Sequence, residues 1–325
     1  MLRIDVHAHM IPAPFVHGDE VRYPLEGSDE VHTLPLRPMN NFPDDSIYGI
    51  ERRLRDMDAQ GIDMHVISLQ PMFADHLPVE RAVRVCRSIN NAFADVVSAN
   101  PKRFLALANL PMQSPEDAAR ELERAVRDLG LRGTEICSQI AGKNLDDASL
   151  APFYAKAQEL DVPIFIHPAG VPGLGERLGR YYLTNLIGNP MDTTIAAASL
   201  VFGGVLRDFP RLKVYLAHGG GACPYIRYRW DHGWKVRGEG KQFITRPPSE
   251  YFSQLYFDSL THGGPALSFL ASTVGAERIM LGTDYPFDMG AYNSVAAIQN
   301  VIGVTDAERD LMLGGNAMRL FKIDG

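Results

Sequence analysis

A short stretch near the start of the chain, Ile4-Asp5-Val6-His7-Ala8-His9, carries two histidines two residues apart. Side chains alternate between the faces of a β-strand, so His7 and His9 are expected on one face, with Ile4, Val6 and Ala8 on the other. Two adjacent imidazoles make half a metal site. The other donors must come from elsewhere, because Zn²⁺ and similar ions gather three or four N/O ligands around one point. Three candidates share one topological position, the C-terminal end of an apolar run: His167 in Ile164-Phe165-Ile166-His167, His218 in Val214-Tyr215-Leu216-Ala217-His218, and Asp284 in Ile279-Met280-Leu281-Gly282-Thr283-Asp284. A lone histidine at a strand end is commonly a hydrogen-bonded structural residue. A position shared by all of these residues favours a metal site instead.

Eight apolar runs read as strands, over 3–9, 64–70, 104–110, 133–138, 164–167, 214–218, 255–259 and 279–284. A helical pattern follows each. Ile47, Ile50, Leu54 and Met57 mark a helix that ends near Gly61, and Val83, Cys86, Ile89 and Phe93 mark the buried side of another over 79–100. Ser114-Pro115-Glu116-Asp117 reads as a helix start, with Ser as N-cap, Pro at the first position and acids in the first turn. Further helices are expected over about 152–160, 193–209, 224–234, 266–274, 295–302 and 306–320.

Eight such units predict an α/β fold, a (β/α)₈ TIM barrel forming a single domain over 1–325. The alternative, a doubly wound open sheet, lacks its phosphate fingerprint: Gly219-Gly220-Gly221 is no GxGxxG, and no GxxxxGK[ST] is present. In a barrel, His7, His9, His167, His218 and Asp284 converge at one mouth. An insertion at about 10–45, rich in Pro, Gly, Asp and Asn, is expected to be a lid, a binding loop or a small subdomain. His17 and His32 lie within it and are expected to be exposed.

A net charge of −7 argues against a nucleic-acid partner. Cys86, Cys137 and Cys223 show no CxxC spacing, which fits buried thiols in a reducing cytoplasm. No signal peptide and no run of about eighteen apolar residues is read, so no membrane association is expected.

The constellation resembles the amidohydrolase superfamily, whose members combine an HxH on strand one, histidines ending strands five and six, and an aspartate ending strand eight. Five segments narrow the resemblance to the aminocarboxymuconate-semialdehyde decarboxylase family: 4–9, Met57-Asp58-Ala59-Gln60-Gly61-Ile62-Asp63, Ala217-His218-Gly219-Gly220-Gly221, Arg246-Pro247-Pro248-Ser249-Glu250-Tyr251 and Gly282-Thr283-Asp284-Tyr285-Pro286-Phe287.

The resemblance implies a non-oxidative carboxy-lyase using one divalent metal, zinc above all, with Mn²⁺ or another divalent ion as alternatives. The ligands it implies are His7, His9, His167 and Asp284. His218 and a metal-bound water then act as acid/base, and Asp284 is also a proton shuttle. The alternative role for His218 is as a ligand of the same or a second metal. Fourth-strand residues Thr134-Glu135-Ile136-Cys137-Ser138-Gln139 offer no lysine to bridge two metals, which favours a mononuclear site.

Arg229 and Arg237 match family arginines that reach a neighbouring subunit's site, implying a homodimer that binds a small-molecule carboxylate. Their alternative is a solvated helix face. Phe287, Tyr181 and Tyr182 are candidates to line an apolar slot, or else core residues. The family pattern places an arginine after Asn-Asn-Phe, but Pro43 follows Asn40-Asn41-Phe42 here, and Arg37 could replace it only by rearrangement. The expected substrate is therefore an aromatic, heteroaromatic or ring-opened, muconate-type carboxylate. A metal-dependent hydrolase or hydratase is the competing activity, and a non-enzymatic metal-binding protein is the third.

Overall fold

Parallel neighbours need crossovers long enough to hold a helix, and each strand of the sheet is followed by one. The computed structural model describes residues 1–36, 45–69, 74–169 and 175–323. Its principal strands are β1 (Ile4–Met10), β2 (Met64–Leu69), β3 (Phe104–Ala106), β4 (Thr134–Cys137), β5 (Pro163–His167), β6 (Lys213–Leu216), β7 (Leu255–Asp258) and β8 (Ile279–Met280). The helices that follow them are α1 (Ile50–Gln60), α2 (Val79–Ala99), α3 (Pro115–Arg127), α4 (Ala151–Leu160), α5 (Asn189–Phe202), α6 (Cys223–Val236), α7 (Gly264–Val274) and α8 (Asn316–Phe321).

The strands pair in parallel as two arcs, β1-β2-β3 and β4-β5-β6-β7-β8. Ala108 bridges Thr134 at one seam and Ala8 bridges Tyr285 at the other. At the second seam the Asp284 N–H donates to the His7 carbonyl at 2.8 Å, and the His9 N–H to Tyr285 at 2.7 Å. The sheet is closed into a (β/α)₈ barrel, in which the outer strands of one arc meet those of the other.

Ile4, Val6, Met64, Val66, Leu105, Phe165, Tyr215 and Met280 form one apolar cluster with Leu320 and Phe321 of α8. Phe165 and Tyr215 stack with ring centroids 4.3 Å apart. A second, larger cluster packs helices against strands and includes Val85, Ile89 and Phe93 of α2. Val83, expected on that buried side, is only half buried.

Several expectations change in detail. The β1–β2 register shifts between Asp5 and Ala8, so simple alternation fails there. Ile4 and Val6 join the cluster that holds Phe165, whose ring also meets His7 at 4.9 Å, rather than packing on the opposite face. Ser114 precedes α3 as expected, but its hydroxyl donates to the Asp117 carboxylate at 2.6 Å instead of capping the backbone. The expected helix over 193–209 begins earlier, at Asn189, and breaks after Phe202 before resuming at Val205–Asp208.

Three antiparallel strands, Val16–His17, Glu20–Pro24 and Val31–Pro35, follow β1. Val21 and Tyr23 are buried while Arg22 and Pro24 are exposed, an alternation that the surrounding turn residues obscure in the sequence. His17 is exposed as expected, but His32 is half buried. Arg37 and Asn40 to Pro43 lie outside the described residues. All three cysteines are buried and unpaired. Among the described residues, no helix is long and apolar enough to cross a membrane.

Removing the Phe165 ring would leave a void beneath the strand-one histidines. Phe165→Ala is expected to cost about 3–5 kcal/mol, measured by urea unfolding monitored by circular dichroism.

Candidate metal centre

Polar side chains replace apolar ones where the barrel strands end. His7 and His9 lie near the end of β1, His167 ends β5, and His218 and Asp284 follow β6 and β8. His7, His9 and His167 are almost wholly buried, as is Asp284. The Nε2 atoms of His7 and His9 lie 3.2 Å apart, and each is 3.2 Å from Asp284 Oδ1. Two donors bound to one ion at about 2.1 Å lie about 3.0–3.4 Å apart, so this triangle has the dimensions of a coordination sphere. Donor atoms of His7, His167, His218 and Asp284 all lie within 4.8 Å of one another.

The other ring nitrogens set the tautomers. His9 Nδ1 faces the Leu69 carbonyl at 3.1 Å, and His167 Nδ1 faces the Pro168 carbonyl at 3.0 Å. His7 Nδ1 lies 2.6 Å from Asp258 Oδ2. Carbonyl and carboxylate oxygens only accept, so each Nδ1 carries the proton and each Nε2 keeps a lone pair. The Nε2 atom of His167 is buried without a hydrogen-bond partner. This donor set fits a divalent ion.

Electrostatics favour a cation here. Burial pushes His9 and His167 below the usual imidazole range, which keeps their lone pairs free. Burial also opposes charge on His7, but the carboxylates of Asp284 and Asp258 overcome it and push its pKa up to about 10. Burial would raise the Asp284 carboxyl too, yet His7, His218 and His9 hold it well below the usual range. Asp284 thus calls for positive charge at the point where the Nε2 atoms meet.

Two acids that the sequence reading passed over build the frame. Asp258, fully buried, accepts from the backbone N–H groups of His218 (2.9 Å), Gly219 (2.7 Å) and Leu260 (3.1 Å), as well as from His7. Asp5 accepts from the His7 N–H at 3.0 Å, the Thr283 N–H at 3.1 Å and the Thr283 hydroxyl at 2.6 Å. Arg53, fully buried on α1, donates to the His9 carbonyl and lies 4.6 Å from the Tyr285 ring centroid. Asp258 follows Phe257 at the end of a strand, and Asp5 forms an Asp-x-His with His7; those are the signals that could have found them. His218 adopts φ +56° and Gly219 to Gly221 are also positive. A Cβ on Gly221 would lie 2.0 Å from the Pro190 carbonyl oxygen.

His218, only partly buried, lines a pocket of about 340 Å³ with Asp284, Asn185, Asn189, Thr261 and His262. Its Nδ1 has no hydrogen-bond partner, and its Nε2 lies 3.7 Å from Asp284 Oδ2. Leu186, Tyr225 and Phe269 supply apolar wall, and no Arg or Lys among the described residues lines the pocket. Phe287 is buried with its ring 5.1 Å from that of His9. Arg229 is exposed on α6, and Arg237, also exposed, pairs with Glu239 at 2.8 Å; neither lines this chain's pocket. Tyr181 and Tyr182 are exposed rather than core.

A closed barrel with imidazole and carboxylate donors converging at its C-terminal mouth defines a metal-site α/β-barrel protein. The amidohydrolase family profile matches residues 4–323. The chain is 34% identical to 2-amino-3-carboxymuconate-6-semialdehyde decarboxylase of Dictyostelium discoideum, over 99% of this chain and 92% of that protein. It is 30% identical to 2-keto-4-carboxy-3-hexenedioate hydratase of Sphingobium sp., over 99% and 96%. The crystal structure of a dihydroxybenzoic acid decarboxylase from Polaromonas sp., with bound manganese and the inhibitor 2-nitroresorcinol, superposes with a TM-score of 0.83 at 27% identity, covering 99% of this chain and 97% of that one. The chain belongs to the amidohydrolase family, in its aminocarboxymuconate-semialdehyde decarboxylase-like branch.

Asp258→Asn keeps the shape of the side chain but turns part of it into a donor facing His7 Nδ1. Divalent-metal affinity is expected to fall about 10–100-fold, read by isothermal titration of the metal-free protein.

Proposed function

We propose that this chain is a metal-dependent, non-oxidative decarboxylase of an aromatic, heteroaromatic or muconate-type carboxylic acid. One observation carries the reading: three imidazoles with Nδ1 tied to acceptors direct Nε2 lone pairs towards Asp284, beside a histidine open to an apolar pocket. His7, His9, His167 and Asp284 would hold one divalent ion, zinc or manganese. Such an ion supplies Lewis acidity and brings the pKa of a water in its sphere towards about 7.

The residues of this chain do the rest. The pocket walls hold a flat acid with its carboxyl group towards Asp284, and the apolar lining limits water. His218 delivers a proton to the carbon that bears the carboxylate, with Asp284 Oδ2 beside it to relay protons. The C–C bond then breaks, its electron pair returns to the substrate carbon framework, and CO₂ leaves. Imidazole is the side chain most often used for proton transfer of this kind.

Among the described residues no Arg or Lys lines the pocket, which supports a homodimer in which Arg229 and Arg237 serve the neighbouring subunit's site. Exposed Tyr225, Tyr228, Leu186, Ile187 and Phe269 beside the mouth offer an apolar surface for that partner. Phe287 would pack beside the bound acid. Buried, unpaired thiols suit a cytoplasmic setting.

A hydratase is the second reading, favoured by the similarity to the Sphingobium enzyme over nearly the full chain. The same His218 would then direct water onto an alkene.

CO₂ release from hydroxybenzoates, hydroxypicolinates and muconate-type acids, with ¹⁸O-water present, separates these readings. Decarboxylation is expected; label in the product without CO₂ would establish the hydratase. His218→Ala is expected to lose turnover by about 10²–10⁴-fold while retaining metal by elemental analysis. His7→Ala and Asp284→Ala are expected to lose metal as well as activity, and chelation should abolish CO₂ release until a divalent ion is restored.

A further inference from the structure

The pocket above the metal centre holds two polar side chains that the chemistry above leaves unused. Asn185 and Asn189 line it together with His218 and Asp284, and both are half buried. Neither amide has a hydrogen-bond partner among the described residues. They sit where the chain enters α5: Thr184–Gly188 form a single π-helical turn, closed by the Asn189 N–H donating to the Thr184 carbonyl. Residues four apart on a helix share a face. Here that face is the cavity wall, which the same turn continues with Leu186 and Pro190.

Asparagine is a poor helix former and packs badly against an apolar lining, because its amide needs hydrogen-bond partners. Leu or Met would suit both the helix and the wall. Two amides on one face of a cavity are instead the sparse polar groups by which a mostly apolar pocket fixes the orientation of its ligand. Their place is held from both sides. The Asp192 carboxylate of α5 accepts from the Ala169 N–H at 3.1 Å, two residues after His167, and from the Ser138 hydroxyl after β4. The Thr194 hydroxyl accepts from the Ala222 N–H at 2.8 Å, at the end of the turn that carries His218, and donates to the Pro190 carbonyl at 2.7 Å. These tethers join the segment that bears the amides to the strand ends that bear a metal ligand and the proton donor, so the amides are fixed relative to the reacting end of the pocket.

We infer that Asn185 and Asn189 are specificity-determining residues, which select the substrate by a hydroxyl group that it carries away from its carboxylate; this rests on the reading of the pocket as the acid's binding site. A hydroxyl donates one hydrogen bond and also accepts, and a pair of amides offers a carbonyl oxygen for its proton and an NH₂ group for its oxygen. An unsubstituted ring displaces water and leaves both amides unpaired, which costs affinity. A second carboxylate only accepts, so it cannot use the carbonyl oxygens, and no Arg or Lys among the described residues lines this wall to compensate its charge. The class selected is a planar monocarboxylic acid with a hydroxyl substituent, over both its unsubstituted parent and the matching dicarboxylic acid.

The test reads binding apart from turnover. Metal-loaded His218→Ala protein is titrated with benzoate, the three hydroxybenzoates, the three methoxybenzoates, isophthalate and terephthalate, followed by ligand NMR. At least one hydroxybenzoate is expected to bind about tenfold tighter than benzoate, and its methoxy counterpart, which cannot donate, less tightly than it. Adding Asn185→Leu or Asn189→Leu is expected to bring that ratio within about threefold while benzoate binds as before or better. The smaller Asn185→Ser and Asn189→Ser, which serve if leucine disturbs folding, should lower the ratio in the same direction. A hydroxyl preference unchanged in every variant, a parallel loss of benzoate and hydroxybenzoate affinity, a dicarboxylate bound best, or no acid bound would overturn the inference. CO₂ release by the wild-type enzyme from the same acids tests the decarboxylase reading separately. Release combined with a preference indifferent to both asparagines overturns the inference alone, whereas an asparagine-dependent preference with no release from any acid overturns the decarboxylase reading alone.

Discussion

The mouth of the barrel depends on one buried carboxylate. Asp258 receives the imidazole of His7 from β1 and three backbone N–H groups, two of them from the turn after β6. That turn runs through positive φ at His218 and the three glycines, a path that leaves its N–H groups without ladder partners. A buried acceptor must satisfy them, or the turn cannot hold its shape away from water. The oxygen that orients His7 therefore also places the backbone of His218, so ligand geometry and proton donor are set by one group. The glycines are steric requirements of the same turn: a Cβ on Gly220 would press on the Phe257 ring at 2.6 Å, one residue before Asp258.

Around this anchor the barrel is layered by polarity. Below lie the stacked rings of Phe165 and Tyr215, closed off by Phe321. Above them, carboxylates and imidazoles occupy a level with little access to water, where charge is costly unless paired. Asp5 and Asp258 are paid for by hydrogen bonds. Asp284 is faced instead by the Nε2 atoms of His7 and His9, whose Nδ1 atoms are tied to acceptors, which leaves positive charge as the missing component. The pocket above is mostly apolar, a lining that suits a flat ring and limits the access of water to the charged floor.

Much of this was legible in the primary structure because period and position survive without contacts. Alternating apolar runs and helical patterns gave eight strand–helix units, and the donors could be placed at strand ends by counting. What escaped was local backbone detail. The register shift after Asp5 overrides the period of two, putting Ile4 and Val6 into the cluster beneath His7. The antiparallel strands after β1 were hidden because only Val21 and Tyr23 mark their buried face among turn-forming residues.

The amino-acid sequence by itself determined the barrel and the chemical types of its mouth, since burial of apolar faces leaves few topologies for eight alternating units, and only strand ends can carry the histidines and Asp284 together. Tertiary structure alone decided which acids serve as supports and which face the centre. Asp5, Asp258 and Asp284 are alike as letters; whether a carboxylate is saturated by N–H donors or faces the Nε2 atoms depends on neighbours brought from distant strands, and no spacing along the chain records that.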